Sequence, residues 1–174
     1  MELKKPRPVP KGGTIGVFAP SSPLHNKFRA RYKAALANME SLGYRVVVGE
    51  LTARGEDQGY RTSTGRDRAE ELNELFLRSD VDLIMSTIGG THSSSLLPYL
   101  DYKVIEKSRK VFCGYSDVTS LHMAIRSEAR LSTLYGPAVM PSFGDSEGAD
   151  EETLTSFVNQ ISNGWCGEYV APER

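Results

Sequence analysis

Residues 110–130, KVFCGYSDVTSLHMAIRSEAR, constrain the fold more than any other stretch of the chain. The short apolar run Val111-Phe112-Cys113 has the composition of a buried strand. The chain then turns through Gly114-Tyr115-Ser116-Asp117. Beyond the turn, Val118, Leu121, His122, Ile125 and Ala129 recur at the spacing of one helical face. A strand, a tight turn carrying a serine, and a helix make up the geometry of a nucleophile elbow. Such a turn lifts Ser116 clear of the sheet. It also sets the Asp117 amide at a helix N-terminus, where partial positive charge can stabilise a developing oxyanion. The match to G-x-S-x-G is incomplete, because Val118 occupies the place of the second glycine. On spacing alone, an ordinary strand-to-helix turn explains the segment equally well.

The rest of the chain supplies the strands and helices that such a turn needs. Met1 to Lys11 reads as an extended arm, since Pro6, Pro8 and Pro10 exclude helix. Gly13 to Ala19 is a candidate first strand, followed by the loop Pro20-Ser21-Ser22-Pro23. Small hydroxyl residues directly after a first strand sit where open α/β sheets place their ligand crevice; alternatively, Ser21 and Ser22 cap the next helix. Phe28, Tyr32, Ala35, Met39 and Leu42 form a helical stripe between Lys27 and Leu42, stopped by Gly43. Tyr44 to Val48 is a second strand, and the aperiodic Gly49 to Gly65 is a loop. Thr64-Gly65-Arg66-Asp67 resembles a capping box before a helix with Ala69, Leu72, Leu75 and Phe76 toward the core. Asp82 to Ile88 is a third strand running into Gly89-Gly90.

A proline-bounded segment, Ser94 to Lys107, leads to the elbow strand. After the elbow helix, Ser132 to Leu134 is a short strand ending at Tyr135-Gly136-Pro137, and Asp150 to Ser162 forms a last helix. Strands alternating with helices imply an α/β fold with a mostly parallel sheet flanked by helices. The expected organisation is an arm over residues 1–12, one α/β domain over 13–163 and the start of a linker over 164–174. The chain reads as if it stops at a domain junction.

A length of 174 residues suits a single core. The net charge of -1 argues against nucleic acid or an anionic membrane as the main partner. Cys113 and Cys166 make neither a disulfide framework nor a metal site, and Cys113 reads as a buried structural thiol. Without a signal peptide or a bilayer-length apolar run, a cytoplasmic setting is expected.

In a parallel sheet the loops after the third and fourth strands emerge at the same edge. Gly90 could then bring a bare backbone amide to an oxyanion and, with the Asp117 amide, give two donors around Ser116. A plain tight turn accounts for Gly89-Gly90 equally well. A nucleophilic serine needs a base, and the chain has three histidines. His122 lies one and a half turns into the helix on its core-facing stripe and reads as a core residue. His92 is better placed, but as a substrate contact; His25 reads as a solvated loop residue. The residues alone give a nucleophile and an oxyanion hole without a base.

Several blocks in order resemble the LD-carboxypeptidase family of serine peptidases, which includes the microcin C self-immunity proteins. They are GTIGVFAPSSP at Gly13 to Pro23, GRDRAEELN at Gly65 to Asn73, IGGTHSSSLLPYLDY at Ile88 to Tyr102, GYSDVTSL at Gly114 to Leu121, and YGP at Tyr135 to Pro137. The resemblance implies a class I glutamine amidotransferase or flavodoxin-like domain with Ser116 as nucleophile. It implies an oxyanion hole of the Gly90 and Asp117 backbone amides, and substrate contacts from Gly89, Thr91, His92 and Ser93. It further implies a Ser-His-Glu triad whose histidine and glutamate lie in a following C-terminal domain, so that this stretch by itself would be inactive. No cofactor or metal is implied; homodimers of the full-length protein are. The hydroxyl-rich Thr91-His92-Ser93-Ser94-Ser95 is similar to the microcin-immunity branch, although His92 stands where that branch tends to have asparagine.

Two readings follow. One is a serine hydrolase cleaving an amide bond in an LD-linked murein peptide or a peptidyl-nucleotide. The other is a non-catalytic α/β domain whose glycine loops hold a small ligand. A third, a regulatory or immunity domain acting through a partner, has no residue in its favour.

Overall fold

The computed structural model describes residues 2–145 and 148–163. Five strands, β1 (Thr14–Phe18), β2 (Arg45–Val48), β3 (Leu83–Ser86), β4 (Val111–Gly114) and β5 (Leu134–Tyr135), form one sheet in the order β2-β1-β3-β4-β5. Every pairing is parallel, as in Ile15 opposite Leu83 and Leu83 opposite Val111. This is the flavodoxin-like order, whose direction of winding reverses between β1 and β3.

Both faces of the sheet are covered, so its central strands are buried along their whole length rather than on alternate residues. All five residues of β1 are buried. Side-chain direction still alternates along each strand. Ile84 and Phe112 point to one face, which packs under α4 (Gly65–Leu77), α5 (Tyr102–Ser108) and α6 (Thr119–Glu128). Leu83, Met85, Val111 and Cys113 point to the other, under α2 (Arg29–Ser41), α7 (Val139–Phe143) and α8 (Glu151–Ser162). Phe112 is fully buried with its ring 5.9 Å from Phe18 and 6.2 Å from Phe76. Truncating such a ring to alanine costs about 3–5 kcal/mol.

The expected elements form, with five corrections. The segment read as an uninterrupted loop contains α3 (Glu50–Arg54), too short to show a period, closed by Gly55 in the left-handed region at φ 72°. Two α-helical turns, α1 (Leu24–Lys27) and α7, were not anticipated. The proline-bounded segment is a 3-10 stretch, Ser93–Tyr99, followed by α5, whose N-cap Asp101 accepts from the Lys103 and Val104 amides. The strand expected at Ser132 to Leu134 lies at Leu134–Tyr135. Thr64 caps α4 by accepting the Asp67 amide, but Asp67 accepts from the Ser63 and Thr64 hydroxyls and so does not complete a reciprocal box.

The N-terminal arm crosses the opposite edge of the sheet. Lys4 bridges Leu131, and Val9 is buried with its amide donating to the Ile161 carbonyl at 2.8 Å. Cys113 is buried, and burial holds its thiol far above the usual range; Cys166 lies outside the described residues. Among the described residues, no helix is long and apolar enough to cross a membrane.

Candidate active site

β4 ends at Gly114, and Tyr115 carries the chain out extended into a 3-10 turn, Ser116–Val118, that runs into α6. Ser116 has φ +66°, the left-handed region that L residues avoid at about 1–2 kcal/mol. The strain is held in place from beneath. His122 Nε2 lies 2.9 Å from the Gly114 carbonyl, which also accepts from the Gly136 amide at 3.2 Å. A carbonyl only accepts, so Nε2 carries the hydrogen, and burial lowers the His122 pKa, favouring this neutral form. Ser116 itself is exposed, and among the described residues nothing hydrogen-bonds its hydroxyl.

The glycine loop after β3 closes over this turn. A Cβ on Gly89 would stand 3.0 Å from the Ser116 Cβ, 3.1 Å from its Oγ and 3.3 Å from the Asp117 amide nitrogen. The bare backbone of Gly89 thus borders the space where hydroxyl and amide converge. Gly90, at φ +155°, is pressed against the loop after β1: a Cβ there would fall 2.4 Å from Ser21 Oγ. Among the described residues, the Gly90 amide has no protein acceptor. Asp117 is the second residue of its turn, where amides lack intrahelical partners.

Two anchors fix the loop. Ser21 Oγ accepts from the Thr91 and His92 amides at 3.0 and 2.9 Å. Its role is therefore neither cap nor ligand contact: α1 has no side-chain cap, and Ser21 is wholly buried. From the other side, Asp117 Oδ2 accepts from the His92 and Ser93 amides at 2.9 Å each. Ser93, grouped with the substrate contacts in the sequence reading, is buried; its hydroxyl donates to the Asp117 carbonyl and lies 2.7 Å from Ser120 Oγ. It braces the loop from below.

Sequence reasoning missed Arg68. It is fully buried at the start of α4, where a charged residue in a helix reads as surface. Its guanidinium donates to the carbonyls of Ser63, Thr64, Pro20 and His92 and to Ser95 Oγ, tying three loops together. Burial, helped by the charge of Arg61, brings its pKa down to about 10, against the pull of Asp117. Tyr135 was also missed as a site residue: it is exposed at the end of β5, and its hydroxyl accepts the Ser116 amide at 3.4 Å. Its ring lies 5.8 Å from that of His122 and 6.5 Å from that of Tyr115.

The remaining site residues line the rim. Thr91 is exposed and its Oγ1 lies 2.7 Å from His92 Nδ1; the His92 ring packs 4.5 Å from Tyr60. His25, read as solvated, is buried beneath α3, with Nε2 3.2 Å from the Thr52 carbonyl and a pKa lowered by burial. Thr52 is held in turn by the buried Glu71 carboxylate. Among the described residues, no imidazole meets Ser116. The arrangement sets a strained, exposed hydroxyl close to the Asp117 amide and the bare backbone of Gly89, a geometry suited to acyl transfer.

The chain is similar to known proteins over most of its length. A family model described as the LD-carboxypeptidase N-terminal domain matches residues 15–136. A Vibrio cholerae protein that carries a carboxypeptidase name is 43% identical over 150 residues, 86% of this chain and 44% of its own. The microcin C7 self-immunity protein MccF of Escherichia coli is 39% identical over 169 residues, covering 96% of this chain and 48% of that one. A Bacillus subtilis protein named for murein peptide carboxypeptidase is 34% identical over 140 residues, 80% of this chain and 42% of its own. MccF solved in complex with aspartyl sulfamoyl adenosine superposes with a TM-score of 0.89 at 39% identity, over 99% of this chain and 51% of that chain. The chain thus spans a little under half the length of the curated relatives it matches.

Proposed function

The chain belongs to the LD-carboxypeptidase family, and from that premise we propose that it carries the nucleophile of a serine peptidase that cleaves an amide bond near a substrate terminus. Ser116 attacks the scissile carbonyl, and the Gly90 and Asp117 amides stabilise the oxyanion. One observation carries this reading: Ser116 stands exposed at φ +66° on a strand-to-helix turn, with its hydroxyl beside the Asp117 amide and the glycine loop. Strain of this kind persists where surrounding structure over-determines it and concentrates at functional sites.

The general base and its carboxylate orienter complete a Ser-His-Glu triad from a C-terminal domain, as the resemblance implies. Residues 13–163 are the nucleophile-bearing domain, and alone they turn over slowly or not at all. Gly89 and the rim residues Thr91 and His92 contact the scissile residue, with Ser93 bracing them. The substrate is a murein LD-peptide or a peptidyl-nucleotide, classes suggested by the names of the Bacillus subtilis relative and of the MccF complex. The full-length protein acts in the cytoplasm as a homodimer.

The test uses the full-length protein as wild type and Ser116→Ala, each incubated with an LD-linked murein tetrapeptide and a peptidyl-adenylate. Serine-dependent release of one product set supports the reading. Cleavage that survives Ser116→Ala overturns it.

A further inference from the structure

We propose that Arg61 recognises an anionic group of the substrate, presented at the rim of the site by Tyr60; the proposal rests on the hydrolase reading of Ser116. Arg61 is half-buried, and its Cζ lies 5.4 Å from the Tyr60 ring centroid. Tyr60 packs in turn on His92, two residues beyond Gly90. The segment is anchored to the same residue that shapes the glycine loop. The Thr62 amide and hydroxyl both donate to the Ser21 carbonyl, at 2.9 and 3.1 Å.

The guanidinium is only partly engaged. Arg61 Nε donates to Gln58 Oε1 at 2.9 Å, and among the described residues no carboxylate lies within ion-pair distance of it. Its two terminal nitrogens keep the fork that pairs with a carboxylate or phosphate through two hydrogen bonds. Arg68, the other cation of the site, is buried and committed to backbone carbonyls. A peptide carboxylate and a nucleotide phosphate share the chemistry that this fork reads.

The experiment measures kcat/KM of the full-length protein on two substrate pairs. One is an LD-linked tetrapeptide as free acid and as C-terminal amide. The other is a peptide joined to adenosine through a phosphate and through an uncharged linker. Arg61→Gln is expected to lower the preference for the anionic member of one pair by roughly tenfold or more. Arg61→Lys restores part of it, Tyr60→Leu reproduces part of the loss, and Tyr60→Phe does not. The pair that responds identifies the anion as carboxylate or phosphate. Equal loss on both members of each pair, or no loss, overturns the assignment, as does turnover of none of the four compounds. Fluorophosphonate labelling of Ser116 separates the two failures. An unlabelled wild type sinks the hydrolase reading, whereas a labelled enzyme with unmoved selectivity sinks only the role of Arg61.

Discussion

The Asp117 carboxylate accepts the main-chain amide of His92 at 2.9 Å, so the residue after Ser116 grips the loop that faces it. The elbow and the glycine loop are one unit, and neither can shift without breaking a charge-assisted hydrogen bond. Asp117→Ala removes the carboxylate acceptor of the Ser93 amide and leaves the His92 amide with Ser21 Oγ alone. The expected cost is about 1.5–3 kcal/mol of stability, with fluorophosphonate labelling of Ser116 slowed at least tenfold. Asp117→Asn, which keeps one oxygen acceptor, falls between. Urea denaturation and labelling kinetics on the three proteins check this; unchanged labelling in the alanine variant would remove the clamp from the account.

Ser116 holds a strained backbone conformation at φ +66°. Glycine adopts φ +66° freely but loses more chain entropy on folding. Ser116→Gly is therefore expected to be more stable than Ser116→Ala by about 0.5–1 kcal/mol. Matched denaturation curves decide it, and an alanine variant that equals the glycine variant argues that the turn is unstrained.

The two glycines of the loop fail differently. Gly89→Ala puts a methyl 3.1 Å from Ser116 Oγ and 3.3 Å from the Asp117 nitrogen, in the space the proposed oxyanion would occupy. Labelling should drop by at least a hundredfold, the scale of losing an oxyanion donor, for a stability cost of about 1 kcal/mol. Gly90→Ala drives a methyl into Ser21 Oγ at 2.4 Å and forces an L residue to φ +155°. Stability and labelling should then fall together. Circular dichroism melts alongside labelling separate the two patterns.

Burial lowers the pKa of both His25 and His122 below the ordinary 6.5. As pH falls through 6.5 the unfolded chain takes up protons that the folded chain resists. The stability these two residues contribute is complete above that value and is lost below it. Burial raises Glu71, which acts with the opposite sign at lower pH, so the diagnostic window is pH 7.5 to 5.5. Within it the melting temperature should fall, and less steeply in His122→Gln. Parallel slopes in the two proteins would show that His122 does not titrate on unfolding.

The helices that carry a period were legible in the sequence, although Phe28 and Leu42 of the first stripe are exposed rather than in the core. The stripe from Val118 to Ala129 is buried as its spacing implies, and with it His122. What escaped depends on contacts between distant segments. His25 is buried because α3, five residues long and without a readable period, lies over it. Ser21 reads as a cap or a ligand contact from its neighbours, yet it serves amides some 70 positions along the chain. Arg68 has the local signature of a solvated helix face, and only the folded chain surrounds it with carbonyls. The rim pairing of Tyr60 with His92 has no local signal at all.

The central claim is that Ser116 is an activated nucleophile, and intact-mass measurement after fluorophosphonate treatment of the full-length protein tests it most directly. The account predicts one adduct per chain, located on the peptide containing Ser116 and absent from Ser116→Ala. A wild-type protein that takes up no adduct, or an adduct that persists in Ser116→Ala, would contradict it.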